Sequence, residues 1–78
     1  MNTIVYVKTG CPWCIDVTNF LKEKGLLFEE KNVTENEVFR KEMEELSGQA
    51  KAPVVIIDGH MLADTDKEAV SAYLSTLS

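Results

Sequence analysis

The stretch VKTGCPWCIDV, residues 7–17, carries both cysteines of the chain and joins a strand-like run to a helix-like one. Thr3 to Val7 is β-branched and aromatic, as strands often are. Pro12 suits the first position of a helix, because the N–H that proline lacks would have no partner there. From Cys14 onward apolar residues recur at helical spacing, and Gly25 stands where such a helix would end. The stretch therefore predicts a strand that leads into a helix at the cysteine pair.

A second strand and a second helix are expected next. Leu26 to Val33 has the length of a strand, although charged residues interrupt it. Thr34 and Glu37 match a capping box, in which the two side chains bond the free N–H groups of a helix start. Gly48 is expected to close this helix. The buried stripe of the helix is predicted to be Val38, Phe39, Met43 and Leu46.

The last part of the chain predicts two strands and a helix. The run from Pro53 to Ile57 is entirely apolar, as in a strand that is covered on both faces. Asp58-Gly59 favours a tight turn into a fourth strand around Met61 to Ala63. A second capping box, Thr65 to Glu68, is expected to open a last helix. That helix is predicted to turn Val70, Tyr73, Leu74 and Leu77 inward.

The element order βαβαββα predicts an α/β fold with a four-stranded mixed sheet flanked by three helices. The first βαβ unit should be a right-handed parallel crossover, and the last two strands should form a hairpin. At 78 residues, we expect one domain that spans residues 1–78.

Composition limits the class of function. The formal net charge of −5 argues against a nucleic-acid binder, because phosphate binding needs a basic face. The longest apolar run, Pro53 to Ile57, is too short to cross a bilayer, and no signal-peptide pattern is visible. We therefore expect a cytoplasmic monomer with neither a membrane nor a nucleic-acid partner.

The two cysteines are predicted to have different tasks. Cys11 is expected at the start of the first helix, where free N–H groups and the helix dipole favour a thiolate. Cys14 is expected one turn further on, on the apolar stripe, and so more buried. Cys11 would then attack a disulfide, and Cys14 would resolve the mixed disulfide. Trp13 is expected to be exposed beside them, packed either on a substrate or on the loop before Pro53.

Three other interpretations of the cysteine pair stay open. A structural disulfide across so short a loop would restrict the unfolded chain little. A zinc site needs about four ligands, and only His60 adds an imidazole to the two cysteines, so we expect no metal. Two ordinary core cysteines are the third alternative. The placement at a helix start favours the redox interpretation.

The sequence also resembles a known family. Cys-Pro-Trp-Cys after a strand, with Tyr6 and Lys8 ahead of it and Ala52-Pro53 before the third strand, is similar to the glutaredoxins, which have a thioredoxin-like fold. The resemblance runs from Ile4 to about Leu77. It implies dithiol-disulfide exchange on protein disulfides or glutathione mixed disulfides. It also implies that no cofactor is tightly bound and that glutathione is the co-substrate.

The resemblance assigns roles to further residues. Lys8 stands where glutaredoxins contact a carboxylate of glutathione, and Gln49 where they contact its other carboxylate. Pro53 matches the cis-proline of the family, and Ala52 the residue whose backbone pairs with the substrate cysteine. The full set expected to bind substrate or glutathione is Lys8, Pro12, Trp13, Gln49, Lys51, Ala52, Pro53, Thr65 and Asp66.

Two departures from the family pattern bear on the source of electrons. Ala63 and Asp64 replace a common Gly-Gly pair, although glycine is what permits close backbone approach to a ligand. Thr65 and Asp66 still open a helix whose N–H groups suit a carboxylate. Lys51 replaces a common threonine and adds a second cation. The run Ala52 to Val55 also resembles glutaredoxin-like redoxins, which thioredoxin reductase recharges and which serve ribonucleotide reductase.

A further alternative from the resemblance is an iron–sulfur carrier, with a cluster held by Cys11 and glutathione between two protomers. The proline and the second cysteine are less typical of such carriers. We expect glutathione to be the reductant, with thioredoxin reductase as the alternative.

Overall fold

The computed structural model describes residues 2–77. Its elements are β1 (Thr3–Val7), α1 (Pro12–Glu23), β2 (Glu29–Asn32), α2 (Glu37–Ser47), β3 (Val54–Ile57), β4 (His60–Leu62) and α3 (Lys67–Ser75). The strands are ordered β2-β1-β3-β4 in one sheet. β1 is parallel to β2 and antiparallel to β3, and β3 and β4 form an antiparallel hairpin. The predicted α/β fold, with its mixed four-stranded sheet and three helices, is confirmed.

The sheet is covered on both faces. Successive side chains of a strand point to opposite faces, and β1 follows this alternation. Val5 and Val7 pack with α1 and α3, around Val17 and Leu21. On the other face Tyr6 packs with α2. Because β1 is packed on both faces, its end is held in place, and α1 begins a short loop later at Pro12.

The N-terminal caps of α2 and α3 both differ from the prediction. The cap of α2 is Asn36, whose Oδ1 accepts hydrogen bonds from the N–H groups of Val38 and Phe39 at 2.9 and 3.3 Å. The Thr34 hydroxyl instead accepts from the N–H of Thr9 at 3.1 Å. The predicted capping box at Thr34 is therefore wrong, because the short amide of Asn36 lies closer to the helix start.

The same correction holds at α3. Asp66 caps the helix by accepting from the N–H of Ala69 at 2.8 Å, whereas Thr65 is buried before it. The predicted box at Thr65 is also wrong.

The predicted edges of several elements shift. β2 is shorter than predicted at both ends, since it omits Leu26 to Phe28 and Val33. Leu27 is 90% exposed. β3 begins after Pro53, which has no N–H to give to a strand ladder. β4 begins at His60, one residue earlier than predicted.

The inward stripes of the helices are narrower than predicted. In α2, Met43 is buried and Phe39 packs beside it, but Val38 and Leu46 are exposed. Val38 is turned by about 100° from Phe39 around the helix. Leu77 lies after α3 and is exposed as well. Among residues 2–77, no helix is long and apolar enough to cross a membrane.

Candidate active site

The two cysteines occupy different positions at the start of α1. Cys11 is the cap residue in extended conformation, and Pro12 is the first residue of the helix. The N–H of Cys14 donates a hydrogen bond to the Sγ of Cys11 at 3.2 Å. Both residues are free thiols. A backbone donor is thus aimed at the Cys11 sulfur at the N-terminus of the helix.

Cys14 lies in the core. Its side chain is 2% exposed and packs with Val17 and Val70. Burial raises the pKa of the Cys14 thiol to about 12. A hydrogen bond between the Cys14 and Cys11 side chains acts in the same direction. Cys14 is therefore a neutral thiol at neutral pH, and Cys11 is the sulfur that can attack first.

Cys11 opens into a cleft of about 510 Å³, which lies within the size range of ordinary ligand sites. Three loops meet there: the loop between β1 and α1, the loop between α2 and β3, and the loop between β4 and α3. The residues that line it are Lys8, Thr9, Gly10, Cys11, Pro12, Trp13, Lys51, Ala52, Asp64, Thr65 and Asp66. The cleft thus holds two cations and two carboxylates around one sulfur.

Most of the residues expected from the sequence line this cleft. Lys8, Lys51, Ala52, Thr65 and Asp66 do so, together with the two residues between the cysteines. Trp13 is 61% exposed, so its indole is available at the cleft rather than buried under a loop. Pro53 is buried and does not line the cleft, and its peptide bond with the lining residue Ala52 is cis. Thr9 and Gly10 also line the cleft, which the sequence reasoning did not anticipate.

Gln49 lies outside the cleft. Its Oε1 accepts from the N–H of Lys51, and its Nε2 donates to the carbonyl of Lys51 at 3.1 Å. The Ser47 hydroxyl in turn donates to the carbonyl of Gln49 at 2.9 Å. The amide of Gln49 is therefore engaged by its own loop, where it fixes the backbone of Lys51.

Asp64 lines the cleft in a backbone conformation that suits glycine. Its φ angle is +49°, in the left-handed region that aspartate tolerates better than most residues. The N–H of Thr65 donates to the carbonyl of Pro53 at 3.1 Å, which joins the two loops on this side. The replacement of glycine thus keeps the turn and adds a carboxylate to the cleft.

Within the part of the chain that the structure describes, no group of three or more His, Cys, Asp or Glu side chains is placed to hold a metal ion.

Comparisons with known proteins agree with this geometry. A family model described as Glutaredoxin matches residues 3–62. The chain is 35% identical over 66 residues to an uncharacterized glutaredoxin-like 8.6 kDa protein of the rubredoxin operon of Clostridium pasteurianum, over 85% of this chain and 88% of that protein. It is 39% identical over 57 residues to N-acetyl-S-hydroxy-L-cysteine reductase of Bacillus subtilis, over 73% of this chain and 61% of that protein. A mutant form of the thioredoxin-like protein BC3987 superposes with a TM-score of 0.84 at 29% identity, over 92% of this chain and 97% of that one.

A thioredoxin-like fold with a cysteine at the start of α1 and a second, buried cysteine one turn later defines a thiol-disulfide oxidoreductase. The matched family model covers most of the chain, from β1 to the end of β4. The chain belongs to the glutaredoxin family.

Proposed function

We propose that this protein is a dithiol oxidoreductase that reduces protein disulfides or glutathione mixed disulfides and takes its electrons from glutathione. One observation supports this most strongly. The sulfur of Cys11 stands in an open cleft at a helix N-terminus, while the sulfur of Cys14 is buried behind it.

The first step uses Cys11 alone. Its thiolate attacks one sulfur of a substrate disulfide, the substrate S–S bond breaks, and the other substrate sulfur leaves as a thiolate. The substrate is then held by a mixed disulfide with Cys11. Ala52 and the exposed Trp13 also line the cleft and offer apolar contacts to the bound chain.

The second step releases the reduced product. Cys14 loses its proton and attacks the Sγ of Cys11, forming the Cys11–Cys14 disulfide as the substrate thiolate departs. Glutathione can instead attack the mixed disulfide directly. Two glutathione molecules then return the intramolecular disulfide to the dithiol, and oxidised glutathione leaves.

The charges of the cleft support glutathione as the reductant. This tripeptide carries two carboxylates and one ammonium group. Lys8 and Lys51 supply cations for the carboxylates, and Asp64 supplies a carboxylate for the ammonium group. The start of α3 presents further N–H groups to an anion.

The experiment that tests this proposal supplies the oxidised protein with two electron sources and follows the consumption of NADPH. One reaction contains glutathione and glutathione reductase, and the other contains thioredoxin reductase alone. Turnover only with glutathione is the expected result, and the Cys11→Ser variant should give none. Turnover only with thioredoxin reductase would overturn the glutathione link and favour the redoxin alternative.

A second candidate activity is the reduction of a small sulfenic acid. It is suggested by the 39% identity to a protein named N-acetyl-S-hydroxy-L-cysteine reductase. The Cys11 thiolate would attack the sulfenic sulfur, releasing hydroxide, which becomes water. Attack by Cys14 would then release the thiol and leave the protein disulfide. Reduced protein mixed with N-acetyl-S-hydroxy-L-cysteine should yield N-acetylcysteine in stoichiometric amount, and a yield no greater than that of Cys11→Ser would exclude this candidate.

A further inference from the structure

A second cavity of about 230 Å³ lies beside the cysteine pair. Its wall includes Cys14 and Thr18 of α1 together with Glu30 and Asn32 of β2. Cys14 lines this cavity but does not line the cleft that contains Cys11. Cys14 therefore borders open space on the side toward β2, outside the cleft that contains Cys11.

This arrangement bears on the second step of the reaction. Cys14 must become a thiolate to attack, yet its side chain is 2% exposed. A substrate bound to Cys11 fills the cleft at that moment. The cavity on the β2 side offers the Cys14 proton a route to solvent outside the cleft that contains Cys11.

Glu30 is the carboxylate at this cavity. It pairs with Val5 in the parallel register of β1 and β2, and neighbours in such a pair lie on the same face of the sheet. Val5 and Cys14 belong to the same core cluster on that face. Across residues 2–77, Glu30 has no ion pair and no side-chain hydrogen bond, so its oxygens are free to accept a proton.

The neighbouring Glu29 differs. It pairs with Ile4, on the opposite face of the sheet, and forms an ion pair with Lys31 at 3.7 Å. This difference makes Glu29 a matched control for Glu30.

Few other charged groups face the cavity. Lys8 lines it from the loop between β1 and α1. Burial raises the pKa of the Cys14 thiol, whereas Lys8 acts on that pKa in the opposite direction. Cys11 faces Cys14 through their hydrogen bond. Helix α1 also places Ile15 and Thr18 at the cavity, and neither side chain titrates. The Thr18 hydroxyl donates a hydrogen bond to the carbonyl of Ile15.

We propose that Glu30 accepts the proton of Cys14, through water held in this second cavity, while Cys14 attacks the mixed disulfide. The proposal rests on the dithiol mechanism given above. The electron pair of the Cys14 sulfur forms the bond to Cys11, and the substrate sulfur leaves with the electrons of the broken S–S bond. The proton passes along water to the Glu30 carboxylate and from there to solvent. A volume of about 230 Å³ has room for a short chain of water molecules.

The test separates the two steps with dithiobis(nitrobenzoic acid), an aromatic disulfide whose released thiolate is coloured. In a single turnover of the reduced protein, attack by Cys11 releases the first thiolate and attack by Cys14 releases the second. Glu30→Gln should leave the first release unchanged and slow the second by about tenfold to a hundredfold at neutral pH. The deficit should shrink as pH rises, because hydroxide then removes the Cys14 proton.

Two further variants keep the result specific. Glu29→Gln should release both thiolates at the wild-type rates, and Glu30→Asp should recover most of the second rate because it retains a carboxylate. Equal second-phase rates for Glu30→Gln and wild type would overturn the role of Glu30. Absence of the first release in the wild-type protein would instead overturn the proposed function itself, so the two failures are distinguishable.

Discussion

The N–H of Cys14 donates a hydrogen bond of 3.2 Å to the sulfur of Cys11 across the first turn of α1. In the proposed mechanism, Cys14 thus donates a hydrogen bond to the sulfur that it later attacks. The difference between the two cysteines arises from position, since one caps the helix and the other lies on its buried face.

Replacing each cysteine in turn should separate the two routes of product release. Cys11→Ser is expected to abolish all exchange, because Cys11 carries the only sulfur that lines the cleft among residues 2–77. Cys14→Ser should lose the reduction of protein disulfides but keep the removal of glutathione from a glutathionylated peptide, since glutathione itself can resolve that intermediate. Both activities can be followed by coupled NADPH consumption. Loss of both activities in Cys14→Ser would show that release by glutathione does not occur.

Lys8 should contribute to the binding of a glutathione moiety more than to chemistry. Lys8→Gln removes a cation from the cleft, and a hydrogen bond to a charged group contributes about 1.5 to 3 kcal/mol. The KM for a glutathionylated peptide is therefore expected to rise by about tenfold or more, with a smaller change in kcat. Lys22→Gln, in the last turn of α1, is the control and should leave the KM unchanged. An unchanged KM in Lys8→Gln would contradict this placement of the substrate.

The reduced protein should lose stability in alkaline solution. Burial raises the pKa of Cys14 from an ordinary value of 9.0 to about 12, so the folded state holds this proton more tightly than the unfolded state. Its contribution is complete below pH 9 and is lost as the pH rises toward 12, by up to about 1.4 kcal/mol per pH unit. Denaturant unfolding of reduced wild type and of Cys14→Ala should show a steeper decline for wild type. Parallel declines would contradict the burial of a neutral thiol.

An acid-sensitive cluster is expected on the opposite face of the sheet. Lys31 and the hydroxyl of Tyr6 donate to the same Glu42 oxygen at 3.0 and 2.9 Å. The hydrogen bond from Lys31, followed by that from Tyr6, lowers the pKa of Glu42 below 4.5. Since the folded pKa is the lower one, this contribution is present above pH 4.5 and is lost as the pH falls through the folded value.

Glu42→Gln should therefore be less stable than wild type at neutral pH, with a smaller loss on acidification. Glu45→Gln is the control on the same helix, because Glu45 has no ion pair within residues 2–77. Thermal unfolding as a function of pH measures the effect. Identical acid profiles for Glu42→Gln and wild type would show that the cluster adds nothing.

Much of the fold and the centre of the site follow from local sequence signals. The β-branched run before Gly10, the proline at the start of α1 and the apolar run of β3 each specify one element with little ambiguity. Cys11 and Cys14 could be placed because one helical turn separates a cap from the first buried position. The resemblance to a family supplied Lys8 and the loop before Pro53, which periodicity alone does not reveal.

What the sequence missed depends on contacts between distant segments. Asn36 and Asp66 cap their helices because of the path of the preceding loops, which a motif of four letters does not specify. The side-chain amide of Gln49 forms hydrogen bonds with the backbone of Lys51, and the spacing of these residues does not indicate such a contact. Glu30 reaches the cavity beside Cys14 only through the register of β2 on β1, which requires the assembled sheet.

The division of labour between the two cysteines is tested most directly by timed alkylation of the reduced protein with iodoacetamide at neutral pH. Peptide mass spectrometry then gives the rate at each cysteine. The half-buried, hydrogen-bonded Cys11 at the cleft should react at least about a hundredfold faster than the buried Cys14, and faster than either cysteine in the denatured chain. Comparable rates at Cys11 and Cys14 in the folded protein, or a faster rate at Cys14, would contradict the assignment of Cys11 as the attacking sulfur.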